Sequence, residues 1–163
     1  MHYIIEVMKI ESEVGKTLRK RKMTVAIAES CTGGLISSRI TDVSGSSDYF
    51  IMGVVAYSNN IKENILDVSP RLLQKYGAVS KQVALEMAKG VQLLAKAYIG
   101  VGVTGVAGPD GGTKAKPVGL VYIALVTDKK RIVKEFRFNG SRHKIKFQAS
   151  QSALDMICAY SSR

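Results

Sequence analysis

A layered α/β/α sandwich, a mixed sheet with helices on both faces, is the fold class this sequence predicts, and three observations carry it. Short apolar runs alternate with helical patterns up to Val103, the signature of strands joined by crossover helices. A tight Asp128-Lys129-Lys130 turn between two later strand-like runs adds an antiparallel hairpin, which makes the sheet mixed. A polar, glycine-ended loop, Ala28-Glu29-Ser30-Cys31-Thr32-Gly33-Gly34, links the apolar run Thr24 to Ala28 to the helical pattern Leu35, Ile36, Ile40. That is the strand–loop–helix layout of an α/β ligand site, where outward-pointing N–H groups favour an anion or a developing negative charge.

Each element follows in order. Ile4, Val7, Val14 and Leu18 predict a first helix from about Tyr3 to Arg21, interrupted at Glu11, with basic residues at the C-terminal end that suits the helix dipole. Thr24 to Ala28 reads as a buried strand, Gly34 to Val43 as a helix, and Phe50 to Tyr57 as a strand carrying Ile51, Val54 and Val55. Ile61 to Leu66 reads as one or two helical turns. Ser69-Pro70 opens a short helix that Gly77 closes. Ser80 caps a longer one, whose Val83, Met87, Val91 and Leu94 form a single core-facing stripe. Strands are expected at Tyr98 to Val103, Gly119 to Thr127 and Arg131 to Phe138. The turn Asn139-Gly140-Ser141 leads into a last helix reaching about Tyr160. The order is α-β-α-β-α-α-β-β-β-α. The loop Gly105 to Pro117 is as long as structureless loops become in compact domains, which favours a functional role.

At 163 residues, 46% hydrophobic and 23% charged, the chain is expected to be one domain with a real core. No apolar run approaches the roughly 20 residues that span a bilayer, so no membrane partner is expected. Glu6, Lys9 and Glu11 interrupt the N-terminal apolar residues, unlike a signal peptide. Two cysteines are too few for a disulfide framework and fit a reducing cytoplasm. The net charge of +11 would attract polyanions and phosphate-bearing small molecules alike. It sits in Lys16, Arg19 to Lys22, and Lys129 through Lys146. No nucleic-acid motif is present, so these lysines read mainly as a solvated face rather than a nucleic-acid partner site.

Histidine is nearly absent. A Ser-His-Asp triad would have to use His143, which has no obvious acidic partner, and no His, Cys, Asp or Glu cluster has metal-ligand spacing. A serine activated by a desolvated lysine is then the economical hydrolytic arrangement. Gly45-Ser46-Ser47, Tyr57-Ser58-Asn59 and Lys62 supply its parts. Ser47 precedes the strand and Lys62 follows it, so they meet only if the fold returns the chain on itself; the alternative is a serine-rich turn and a surface lysine. Cys31 has no histidine to activate it and reads as a small semi-buried filler. Glu29 reads as an acid or base, or as an ion-pair partner of a lysine. Thr104-Gly105 and Gly108 to Thr113 end a strand with exposed N–H groups and hydroxyls suited to a polar ligand. Arg142, His143 and Lys144 oppose the dipole of the last helix by about 0.3–1 kcal/mol each, sensible if a phosphate docks there. The alternative is that Ser141 caps the helix.

Together, AESCTGG at 28–34, GSS at 45–47, YSNxxK at 57–62, YGAVS at 76–80, and VTGVAGPDGG with KPVG between 103 and 119 resemble the CinA C-terminal domain, the PncC family of nicotinamide mononucleotide deamidases. The similarity spans nearly the whole chain. It implies a cytoplasmic, cofactor-free and metal-independent amidohydrolase that turns nicotinamide mononucleotide and water into nicotinic acid mononucleotide and ammonia. It further implies a homo-oligomer, and a single domain over 1–163 without the N-terminal molybdopterin-binding-like domain of two-domain relatives. Carried over by motif, Ser47 is the nucleophile, Lys62 the general base and Tyr57 its assistant, with Ser30 the alternative nucleophile. Ser30, Gly33, Gly34, Thr104 and Gly105 would surround the substrate and Arg142 would hold its phosphate. Ser141 and Lys146 depart from the family's usual acidic residue and arginine. The competing reading is a non-enzymatic binder of nucleotides or nucleic acid.

Overall fold

The computed structural model describes residues 2–163, with side chains from residue 10 onward, so Ile4 and Val7 of the expected helical stripe lie outside the described side chains. Among the described residues the chain forms α1 (His2–Arg21), β1 (Val25–Glu29), α2 (Leu35–Thr41), a 3₁₀ turn (Ser46–Asp48), β2 (Phe50–Val55), α3 (Asn59–Leu66), α4 (Pro70–Tyr76), α5 (Lys81–Ala95), β3 (Ile99–Gly105), β4 (Leu120–Val126), β5 (Arg131–Arg137) and α6 (Arg142–Ser161). The caps follow local chemistry. The hydroxyls of Ser58, Ser80 and Ser141 accept the N–H groups of Ile61, Val83 and Lys144 at the starts of α3, α5 and α6. The 3₁₀ turn falls on the stretch for which a serine-rich turn was the alternative expectation.

The sheet order is β2-β1-β3-β4-β5, with β2, β1 and β3 parallel and β4 and β5 antiparallel. Strand periodicity sorts the core. Val25 and Ile27 of β1, with Ile99, Val101 and Val103 of β3, face α1, α2 and α6. Ala26 and Ala28 face the layer of α3, α4 and α5. Gly100 and Gly102 let α5 lie close against β3, since a Cβ on either would strike the backbone carbonyl of Ala88 or Ala84. On the other face a buried ion pair ties three helices together. Arg39 Nε lies 2.6 Å from Glu11 Oε1, while its other nitrogens donate to Ser150 Oγ and Gln151 Oε1, both at 2.8 Å.

This topology places the site. The helix after β1 covers one face and the helices after β2 the other, so a crevice opens between the carboxyl ends of these adjacent strands.

Candidate active site

Ser30 immediately follows β1, and its N–H donates to the carbonyl of Val103 on β3 (3.0 Å). Lys62 lies in the first turns of α3, and its side chain is 1% exposed. The capped start of α3 turns Lys62 back under the end of β2. Its Nζ stands 3.1 Å from Ser30 Oγ, 2.8 Å from the carbonyl oxygen of Ala56 and 3.3 Å from that of Tyr57. Burial pushes the Lys62 pKa below that of an ordinary lysine. Once neutral, the amine keeps two N–H donors for the two carbonyls, and its lone pair then faces the Ser30 hydroxyl. The arrangement is an oriented base beside a hydroxyl.

Ser47 does not join it. It lies exposed in the 3₁₀ turn that leads into β2, and the six residues of β2 separate it from Ala56. At about 3.3 Å per residue that is roughly 20 Å of strand, which no rotamer crosses. The expected Ser47–Lys62 pairing is therefore corrected to Ser30–Lys62. Tyr57 is corrected too. Only its carbonyl meets Lys62, while its hydroxyl, on an exposed ring, accepts from Arg142 Nη2 at 3.1 Å.

The glycine-ended loop serves a carboxylate of its own. Glu29, wholly buried, accepts from the Thr32 hydroxyl (2.6 Å), the N–H groups of Gly34 (3.1 Å), Ile36 (3.1 Å) and Ser37 (2.8 Å), and the Ser37 hydroxyl (2.8 Å). The anion expected at the α2 start is thus built into the chain, and Glu29 is neither a free acid–base group nor a lysine partner. Gly33 and Gly34, at φ +62° and +96°, shape this turn rather than line the cavity. Cys31 is buried beside Ser30, and desolvation, reinforced by the Glu29 charge, pushes its thiol up to about 12. It is no nucleophile near neutral pH.

Above the serine–lysine pair is a cavity of about 290 Å³. Ser30, Lys62 and Thr104 form its floor. Thr104 is buried and donates to the Ala78 carbonyl at 2.8 Å, which ties β3 to the loop before α5. Gly105 lies where a Cβ would collide with β4 backbone. Arg142 stands at the mouth, its Nη1 donating to the Gly108 carbonyl (2.7 Å). The neighbouring His143 and Lys144 line a separate groove with Phe147. Asn59, Val79 and Asp110, none of them singled out individually in the sequence, also line the cavity. The YGAVS and GPDGG stretches were the only signals for the last two.

Residues 7–160 match the family model described as the CinA C-terminal domain. A CinA-like protein of Koribacter versatilis is 51% identical over 148 residues, covering 91% of this chain and 36% of that protein. A relative from Thermoanaerobacter pseudethanolicus, named as competence-damage inducible, is 49% identical over 158 residues, covering 97% of this chain and 38% of its own. The chain thus spans little more than a third of these curated relatives. The crystal structure of the competence/damage inducible protein CihA from Agrobacterium tumefaciens superposes with a TM-score of 0.93 at 36% identity, covering 96% of each chain. That of the competence damage-inducible protein A from Klebsiella pneumoniae gives 0.93 at 30% identity, covering 96% of this chain and 98% of that one. This chain belongs to the CinA C-terminal domain family.

Proposed function

We propose that the chain is an amidohydrolase that converts nicotinamide mononucleotide and water to nicotinic acid mononucleotide and ammonia, with Ser30 as nucleophile and Lys62 as general base. The buried Lys62 amine 3.1 Å from the Ser30 hydroxyl carries the reading. The carboxamide enters the floor of the cavity. Ser30 Oγ attacks its carbon while Lys62 takes the hydroxyl proton. Lys62 returns that proton to the leaving nitrogen, the C–N bond breaks, and ammonia departs from an ester on Ser30. Water then attacks the ester, Lys62 accepts its proton and returns it to Ser30 Oγ, and the acid is released.

The oxyanion formed twice on this path needs N–H donors. In the turn after Ser30, the N–H groups of Gly33, Gly34, Leu35, Ile36 and Ser37 are committed to Ser30, Glu29 and Thr32 oxygens. Among the described residues the Thr32 N–H has no acceptor, while that of Cys31, the amide after Ser30 and the usual donor position in strand–turn–helix nucleophile sites, is directed at its own thiol and would exchange it for the oxyanion. Arg142 supports a phosphate at the mouth, where a bidentate guanidinium would exchange the Tyr57 hydroxyl and Gly108 carbonyl for phosphate oxygens.

The test is ammonia release from nicotinamide mononucleotide with chelator present. Wild type should turn over, and Ser30→Ala and Lys62→Met should each lose at least a thousand-fold while still binding the nucleotide. No release by folded wild type overturns the reading in favour of a non-enzymatic nucleotide binder.

A further inference from the structure

The pole of the sheet opposite the cavity gathers segments that are far apart in sequence. β1 and β3 run toward the cavity and β4 runs back, so the amino ends of β1 and β3 and the β4–β5 turn share this pole. The ends of three helices join them. Arg21 Nε at the end of α1 donates to the Ser161 carbonyl at the end of α6 (3.2 Å). The Gln92 amide near the end of α5 bridges the Tyr98 carbonyl (3.2 Å) and Asp128 Oδ1 (3.3 Å).

Three groups of exposed cations converge there: Lys20 to Lys22 at the end of α1, Lys96 after α5, and Lys129 to Arg131 from the hairpin turn to the start of β5. None takes part in an ion pair found among the described residues. Nearby carboxylates are already engaged, Asp48 with Arg19 and Asp128 with Gln92. Two of these lysines also occupy uncomfortable backbone. Lys22 and Lys96 end their helices at φ +53° and +52°, the left-handed conformation that glycine or asparagine takes more cheaply. At both helix ends the chain keeps a cation where backbone preference alone would select a glycine.

Between the cation groups stand two aromatic rings. Tyr98 is 45% exposed. Its hydroxyl lies beside that of Tyr160, with Arg21 and Asp128 close by. Tyr160 donates to Thr127 Oγ1 (3.2 Å), just past the strand that leads into the basic hairpin. Grooves of about 460 and 620 Å³ open at this pole, the first lined by Lys129 to Arg131 and the second by Lys20, Arg21 and Arg163. Tyr98 and Tyr160 lie outside both basic clusters in the sequence, and the fold sets them between the clusters.

We infer that this pole is a binding surface for single-stranded nucleic acid, with backbone phosphates along the three cation groups and an unstacked base on Tyr98. Exposed cations beside an aromatic platform are what sequence-tolerant single-strand binding requires. A duplex or an anionic lipid surface would engage the cations and leave the ring unmatched. The seven residues of β3 put roughly 23 Å between this pole and the cavity, so both can be occupied at once.

The test is fluorescence anisotropy of a labelled oligothymidylate with the full chain at 50 mM and 200 mM salt. Wild type should bind at low salt, with log K falling linearly in log salt by about 0.7 per phosphate neutralised. The Lys129→Glu/Lys130→Glu variant should bind at least ten-fold more weakly and show a shallower salt slope. A Lys81→Glu/Lys134→Glu control carries the same charge change elsewhere and should lose less than three-fold. Tyr98→Ala should lose about ten-fold with the salt slope unchanged, the signature of a lost stack. The pole variants should release ammonia at the wild-type rate, so this surface and the serine–lysine reading stand or fall separately. Equal weakening by the control pair overturns the surface, as does absence of binding at 50 mM salt. Tighter binding of duplex DNA or phosphatidylserine vesicles, indifferent to Tyr98→Ala, assigns the pole to those partners instead.

Discussion

Lys62 Nζ and Ser30 Oγ, from residues 32 positions apart, stand 3.1 Å from one another beneath the carboxyl ends of β1 and β2. Two main-chain carbonyls, of Ala56 and Tyr57, hold the amine from the other side. Only one direction remains for the lone pair of the neutral amine, and it leads to the serine.

The two candidate serines separate cleanly by experiment. Ser30→Ala should abolish amidase turnover, whereas Ser47→Ala, roughly 20 Å away along β2, should keep it within about two-fold. Steady-state ammonia release from both variants decides the matter; an inactive, folded Ser47→Ala would contradict the assignment.

Lys62 should leave a mark on stability as well as rate. Its folded pKa is depressed by burial, so between that value and the unfolded one, about 10.4, the unfolded chain binds more protons and stability rises with pH. Below the window the buried ammonium costs stability. Lys62→Met should therefore melt a few degrees above wild type at pH 7, at about 2–4 °C per kcal/mol, and the gap should close toward pH 10. Melting curves across that range test it, and a constant deficit in the variant would contradict it. The same depression places the acidic limb of kcat/KM below the ordinary lysine range, where the base becomes neutral.

Cys31 should be inert despite lying beside Ser30. With its thiol pushed up to about 12, thiolate is negligible near neutral pH, and native Cys31 should resist iodoacetamide at pH 8 while half-buried Cys158 reacts first. Cys31→Ala should keep activity within a few-fold. Peptide mapping of the alkylated protein reads out the first outcome.

Glu29 organises the loop after Ser30 by accepting five hydrogen bonds across residues 32 to 37. Gln would turn an N–H₂ toward donors and leave at least one buried group unsatisfied, at about 1–3 kcal/mol. Glu29→Gln should lower Tm by about 5–10 °C, consistent with that range and a chain of this size. Its kcat should fall more than its KM rises, because Ser30 moves while Arg142 does not.

Arg142 at the cavity mouth should act on affinity. Arg142→Ala should raise KM for the mononucleotide at least ten-fold and leave kcat within about three-fold, while Arg142→Lys recovers little because a point charge lacks the fork. Equal loss with an unphosphorylated nucleoside amide would contradict a phosphate role.

The layers and the order of the elements are legible along the chain. The apolar run Thr24 to Ala28, the Ser80 cap of α5 and the hairpin turn at Asp128 are local signals, and each strand and helix formed within a few residues of its expected bounds. Ser30 and Thr104 stand out as polar residues after apolar runs, Lys62 as the lysine available to activate a serine, and Arg142 as a cation opposing the dipole of the last helix. Tertiary structure alone decided which serine meets the lysine. Ser47 and Lys62 flank the same strand, and a strand keeps its two ends apart, whereas parallel pairing of β1 with β2 brings their carboxyl ends together. The same physics hid the fate of Glu29, whose partners lie within eight residues but depend on the chain turning back over β1. It also hid the company of Tyr98 with two basic clusters, which only sheet closure assembles. Pattern reads what neighbours along the chain prefer; proximity across the sheet is set by pairing energies summed over many residues.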